Sequence, residues 1–310
     1  MLIWNKTAVV LLLKYKILQF KTKDIQECEK MYQTVNGATL YYNEYGSGDK
    51  YVLSSQMGFD SDEIGWPMDL ADEGFHVFTI QIRGYGKSTH VSEDLGGEWY
   101  NIWADDVYEF AKSKGIEKFL YTGQSHGAGI GWHLSLRHPE VLVGFAALVG
   151  GPHSRKGGET SPGRLKTIMS ADDPEATLKR AESTKKYFLA FAEKFSDNPE
   201  LKAEFERKAQ KGYEWELERT VEEVRVNPRK PLSYLKTDEE VYQDLSKIQI
   251  PVLMINAYMD KMVPVTDILW PVKVIKNSKC IIFNNAGHDV HYDCRDDVRR
   301  EIALFASNLF

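Results

Sequence analysis

The sequence predicts an α/β fold: a mostly parallel central sheet flanked by helices, with a helical cap inserted between late strands. Three observations predict it. Short apolar runs alternate with amphipathic stretches up to about residue 151 and again after residue 250. The strong two-residue hairpin signal, Asn36-Gly37, falls at the start of this pattern. Between about residues 152 and 245 the strand pattern stops and charge rises. Strand and helix in alternation is the mark of a mostly parallel sheet covered on both faces.

Residues 1–31 are expected to lie outside the core. The apolar run 8–13 is too short for a membrane span or a signal-peptide core, and Lys14 and Lys16 follow at once. Next come "MYQTV" and "ATLYYNEY", two strand-like runs split by Asn36-Gly37, and a turn at residues 46–49. "YVLSS" reads as a buried strand, "QMGFDSDEIGWP" as a loop and "FHVFTIQI" as a second buried strand. After the turn "RGYGKST", "WADDVYEFAKSKG" is helical, with Gly115 as its cap. "EKFLYTG" is a strand, "SHGAGIGWHLSLRHP" a helix stopped by Pro139, and "VGFAALVGG" another strand. "IPVLMINA" and "KCIIFNNAG" are late strands, and "DVRREIALFASNLF" is the closing helix.

The domain reading is a core of residues 32–152 and 245–310, with a helical insertion at 153–244. Within the insertion, Tyr187, Phe188, Phe191 and Phe195 form one helical stripe. The stripe serves packing onto the core, or the underside of a lid over a pocket, or both.

Composition narrows the function. The 310 residues are 43% hydrophobic and 27% charged, ordinary values for a globular protein. A formal net charge of −6 gives no footprint for nucleic acid and no basic membrane patch, which leaves a small-molecule substrate. Cys28, Cys280 and Cys294 make neither a disulfide framework nor a zinc pattern. They read as packing residues in a cytoplasmic protein.

Chemistry concentrates in "YTGQSHGAG". Ser125 stands between a predicted strand and a predicted helix, with Gly123, Gly127 and Gly129 around it. A strained strand–turn–helix junction presents a serine hydroxyl, and small residues let strand and helix approach. The helix N-terminus favours a developing anion. A serine needs a base, and the base an orienting carboxylate. His288, in "NNAGHDV" after the last strand, is the candidate base, with His291 as its nearest competitor. Asp260, in "YMDKMVP" just beyond the preceding strand, is the candidate acid, with Asp267 and Asp289 as rivals. His288-x-x-His291 has no third ligand nearby in sequence, so no metal is expected. Arg83, Gly84, Gly86, Asp105 and Asp106 read as structural residues.

These pieces together resemble the α/β-hydrolase fold superfamily over residues 34–310, apart from the insertion. "MGF" at residues 57–59 takes the place of the family's oxyanion loop, "QIRGYGKS" resembles its Asp-x-Arg-Gly-x-Gly-x-Ser segment, and "GQSHG" its nucleophile elbow. "YMDKMVP" and "AGHDV" resemble its acid and base segments. Two positions depart: Met57 replaces the usual histidine and Gln81 the usual aspartate. The resemblance implies a hydrolase with Ser125 as nucleophile, His288 as base, Asp260 as acid and the backbone amides of Phe59 and His126 as oxyanion donors. It places Gln56 and Met57 near the substrate pocket. It implies no cofactor, and the serine argues against dehalogenase and epoxide-hydrolase chemistry, which uses aspartate there. The implied substrate is a small or medium carboxylic ester. Lactone, amide, thioester or carbon–carbon cleavage, acyl transfer, and slow-turnover ligand binding by a receptor of the same fold stay open.

Overall fold

The computed structural model of the protein describes residues 31–58 and 65–310. The expectations for residues 1–30, Cys28 among them, lie outside the described residues, as does Phe59. Among the described residues an eight-stranded sheet runs in the order β1-β2-β4-β3-β5-β6-β7-β8. Its strands are β1 (Met31–Val35), β2 (Ala38–Tyr45), β3 (Tyr51–Gln56), β4 (His76–Gln81), β5 (Phe119–Gln124), β6 (Leu142–Leu148), β7 (Val252–Ala257) and β8 (Ser278–Phe283).

Asn36 and Gly37, at φ 47° and 71°, turn β1 into β2. A two-residue turn with both φ positive matches the twist of the strands it joins, which is why Asn-Gly sits there. β2 pairs antiparallel with β4, whereas β3 with β4, β3 with β5, β5 with β6, β6 with β7 and β7 with β8 all pair parallel. Parallel strands are buried on both faces, so β7 reads Val-Leu-Met-Ile-Asn-Ala with every residue buried.

Among the described residues a short helix, α1 (Gly65–Met68), follows β3, and two later helices matter most to the site. α2 (Trp99–Ser113) buries Trp99, Trp103, Val107 and Phe110 at helical spacing. It begins four residues before the "WADDVYEF" expected from the sequence, because Trp99 is itself buried and starts the apolar stripe. α3 (His126–Arg137) follows β5 directly, and Ala128, Ile130, Trp132 and Leu134 are fully buried in it. Sheet order reverses between β3 and β5, since the chain goes from β3 out to β4 and returns to β5. Ligands of such sheets bind outside the strand C-termini at this switch point. Met57 and Ser125 are the residues that leave those two ends.

Between β6 and β7 the chain is helical: α4 (Pro162–Met169), α5 (Pro174–Lys194), α6 (Pro199–Glu218), α7 (Val221–Arg225) and α8 (Asp238–Leu245). Ser161, Asp173, Asn198 and Thr220 cap the first four, and Thr237 closes a capping box with Glu240. The aromatic stripe packs. Phe191 stacks on Phe205 of α6 at 5.1 Å, and Phe191 and Phe188 meet Tyr292 edge-on at 5.4 and 6.4 Å. Tyr292 lies in α10 (Val290–Asp293), the turn after His288, and α11 (Arg295–Ser307) closes the chain. α9 (Val265–Val274) lies between β7 and β8, where no helix is expected from the sequence pattern.

Candidate active site

Ser125 sits at φ 48°, ψ −107°, a backbone region that strains any residue with a Cβ. The surroundings over-determine it. Its N–H donates to the Leu148 carbonyl at 2.8 Å, and its carbonyl accepts from the Gly129 N–H at 3.1 Å. A Cβ on Gly123 would lie 2.4 Å from the Gly127 carbonyl carbon, and one on Gly127 would lie 2.6 Å from the Ser55 carbonyl oxygen. The two glycines are therefore space, as the elbow reading requires. The Tyr121 hydroxyl donates to the Gly127 carbonyl at 3.0 Å and lies 2.6 Å from Ser55 Oγ, which fastens the helix start to β3 and β5.

The loop after β8 brings His288 to this turn. His288 Nε2 is 2.9 Å from Ser125 Oγ, and His288 Nδ1 is 2.8 Å from Asp260 Oδ2. Asp260 Oδ1 accepts from the Met262 and Val263 amides at 2.7 and 2.9 Å. A carboxylate can only accept, so Nδ1 carries the proton and Nε2 is left to accept from the serine hydroxyl. Burial opposes the Asp260 charge. The hydrogen bonds from His288, Val263 and Met262 outweigh it and hold the carboxyl below its ordinary value.

The rival residues sit elsewhere. Asp267 lies 3.6 Å from His153. Asp289 faces Tyr187, and burial raises its carboxyl pKa. The His291 ring is buried against Tyr292, with its centroid 4.0 Å away. Cys280 and Cys294 are partly buried and unbridged. Arg83 clasps Asp106 with two 2.6 Å bonds and donates to the Asn36 carbonyl at 3.1 Å, tying the hairpin to α2. Asp105 pairs with Arg137 and His138.

His126 is the first residue of α3, so its amide is one of the N–H groups without an intrahelical acceptor. Gln56 spends both ends of its side-chain amide on the protein: Nε2 donates to the Gln124 carbonyl at 3.0 Å and Oε1 accepts from the Met57 amide at 3.0 Å. It fixes the loop after β3 to the elbow. Met57 is partly buried in that loop.

Sequence reasoning missed the role of Gln81. Fully buried, it donates to the Met57 carbonyl at 2.9 Å and accepts from the Lys87 amide at 2.6 Å. A Cβ on Gly86 would collide with its amide at 2.2 Å. The one available signal was the departure from aspartate in "QIRGYGKS". Sequence reasoning also missed the ion pairs that fasten α5 and α6 near His288. Lys194 of α5 meets Asp293 at 2.5 Å, and Asp293 accepts from the Gly287 amide at 3.2 Å. Arg295 binds Asp69 at 2.7 Å and Glu204 of α6 at 3.1 Å.

Residues 57–293 match the alpha/beta hydrolase fold family model, and the chain belongs to that family. It is 24% identical over 297 residues to the AB hydrolase superfamily protein YisY of Bacillus subtilis, covering 89% of this chain and 98% of that protein. It is 28% identical over 119 residues to the bifunctional esterase/perhydrolase DCH of Acinetobacter calcoaceticus, 37% of this chain and 42% of DCH, so the match spans less than half of that relative. Among solved structures, the enol-lactonase from Burkholderia xenovorans superimposes with a TM-score of 0.65 at 17% identity, over 89% of this chain and 100% of that one. No helix of the described residues is long and apolar enough to cross a membrane.

Proposed function

We propose that the protein is a serine hydrolase that cleaves a small or medium carbonyl substrate, a carboxylic ester in the first instance, through an acyl-enzyme. The observation that carries this reading is the unbroken relay of 2.9 and 2.8 Å from Ser125 through His288 to Asp260. Ser125 Oγ attacks the carbonyl carbon while His288 Nε2 takes its proton and then delivers it to the departing alkoxide. Water repeats the sequence on the acyl-enzyme and releases the acid. Asp260 keeps the imidazole in the required tautomer and stabilises its positive charge. The His126 amide, with that of Phe59, is assigned to the oxyanion, a role worth about 3–4 kcal/mol per donor in the transition state.

The choice of ester is supported by the esterase named among the relatives. An intact relay supports turnover over ligand binding alone. The helices of residues 153–244 are assigned as a cap over the serine, supported by the contacts of Phe188, Phe191 and Lys194 with the segment that follows His288. A p-nitrophenyl ester series of graded acyl length tests the reading. Saturable hydrolysis that Ser125→Ala abolishes is the expected result. Equal rates for the two proteins would overturn it.

A further inference from the structure

Among the described residues, the backbone around His288 hydrogen-bonds to separate parts of the chain. The Ala286 carbonyl accepts from the amide of Met259, the neighbour of Asp260, at 3.1 Å. The His288 carbonyl accepts from Nε2 of Gln124, the neighbour of Ser125, at 3.5 Å. The Gly287 amide donates to Asp293 Oδ2 at 3.2 Å. The bond from Gln124 is at the outer limit of hydrogen-bond length. The bond to Asp293 is shorter, and its carboxylate acceptor strengthens it. A Cβ on Gly287 would find no atom beyond its chain neighbours closer than 4.0 Å, so packing adds little to that hold.

Asp293 is itself anchored. Its other oxygen, Oδ1, lies 2.5 Å from Lys194 Nζ of α5, and its side chain is only 12% exposed. Tyr292, one residue earlier, packs edge-on against Phe188 and Phe191 of α5 and Phe205 of α6. Arg295, two residues later, meets Glu204 of α6. A largely buried carboxylate keeps its charge and its place best when a cation satisfies the second oxygen. Lys194 is half exposed, so the pair adds little to stability by itself. Its leverage is geometric. Nε2 of His288 has to stay within about 2.6–3.2 Å of Ser125 Oγ, and a displacement of about 1 Å costs up to about 100-fold in rate. One carboxylate thus bridges a lysine of α5 and the residue immediately before the base.

We propose that Asp293 is a positioning residue for His288, and that Lys194 makes the placement of the base depend on the seating of α5. The proposal rests on the hydrolase reading above and deepens it. Loss of the Lys194 contact loosens Asp293, and the Gly287 amide then holds the base less firmly. The defect falls on proton transfer, so kcat drops while KM holds.

Steady-state hydrolysis of p-nitrophenyl acetate by the full chain tests this. Asp293→Ala should lower kcat by about 10- to 100-fold with KM within about twofold. Asp293→Asn keeps an oxygen for the Gly287 amide but loses the charge that meets Lys194. It should cost about three- to tenfold in kcat, as should Lys194→Met. Lys194→Arg keeps the cation and should restore kcat to within about twofold. Joining Asp293→Asn to Lys194→Met should cost no more than either alone. Lys179→Met, which removes an exposed pair with Glu175 on the same helix, should leave kcat unchanged. If Asp293→Ala does not fold, Asp293→Asn and Lys194→Met decide. A kcat within about twofold of wild type in both, additive losses, or a loss confined to KM would overturn the role. Long-range proton–nitrogen NMR of the His288 ring separates this from the hydrolase reading, because it needs no turnover. A single Nδ1–H tautomer in wild type that becomes mixed in Asp293→Asn and Lys194→Met supports the role even if no ester is cleaved. A single tautomer in all three proteins, or a mixed ring already in wild type, overturns it even if the ester is hydrolysed.

Discussion

The side chain of Gln81 joins two loops: it donates to the carbonyl of Met57 and accepts from the amide of Lys87. The loop after β3, which leads to the proposed oxyanion donor, is therefore held by buried Gln81 as well as by Gln56. Gln81→Leu removes both bonds and strands a carbonyl and an N–H. The expected cost is about 2–4 kcal/mol in denaturant unfolding. Labelling of Ser125 by a fluorophosphonate should slow by about tenfold. An unchanged labelling rate in stably folded Gln81→Leu would show that the loop is held by other means.

Asp260, and neither Asp267 nor Asp289, meets the His288 ring. Asp260→Asn should lower kcat by about three to four orders of magnitude by offering the imidazole the wrong hydrogen-bond partner. Asp267→Asn should leave kcat within about twofold. The reverse ranking in steady-state assays would reassign the acid. Combining Ser125→Ala with His288→Ala should cost little beyond either change alone, because the two groups act as a unit.

A methyl group at Gly123 has nowhere to go, since the backbone of Gly127 already occupies its place. Gly123→Ala should destabilise the protein by about 2–4 kcal/mol and displace Ser125 from His288. Thermal unfolding and ester hydrolysis read the two effects. A variant as stable and as active as wild type would mean that the turn is looser than its geometry indicates.

Stability should fall with acid earlier than carboxylate titration requires. Burial lowers the pKa of His126, His133 and His291 to about 3 each, from the ordinary 6.5. Below pH 6.5 the unfolded chain takes up protons that the folded chain refuses. Each histidine then removes up to about 1.4 kcal/mol per pH unit as pH falls toward 3. Above 6.5 these groups contribute no slope. Asp260, also lowered, adds stability that is present above the ordinary aspartate value and lost as pH falls below it. His133 gives the clearest case: its Nε2 accepts from the Leu232 amide at 2.7 Å, a bond that protonation destroys. Denaturant unfolding between pH 7 and pH 5 should show the decline, and His133→Gln should make it shallower. A flat profile would contradict it.

Much of the fold was legible because its signals are local. Asn36-Gly37 needs two positive φ angles, and the buried strands announce themselves as unbroken apolar runs. The elbow was legible because Gly123 and Gly127 are demanded by close backbone approach. Helix α9 was missed because Pro271 stands inside it and obscures its period. What Gln81 and Gln56 do was not legible, because each acts on a partner that only tertiary folding supplies. The His126 ring is boxed by residues from α2 and the turn after β4, far away along the chain. The aromatic stripe gave a helix face, and docking on Tyr292 determined what that face covers.

The central claim is that His288 and Asp260 activate Ser125. Fluorophosphonate labelling of the folded protein, located by mass spectrometry, tests it most directly. The account predicts one adduct, on Ser125, absent from Ser125→Ala and lost from His288→Ala. No adduct on folded wild-type protein, or an adduct on Ser125 that forms equally fast in His288→Ala, would contradict it.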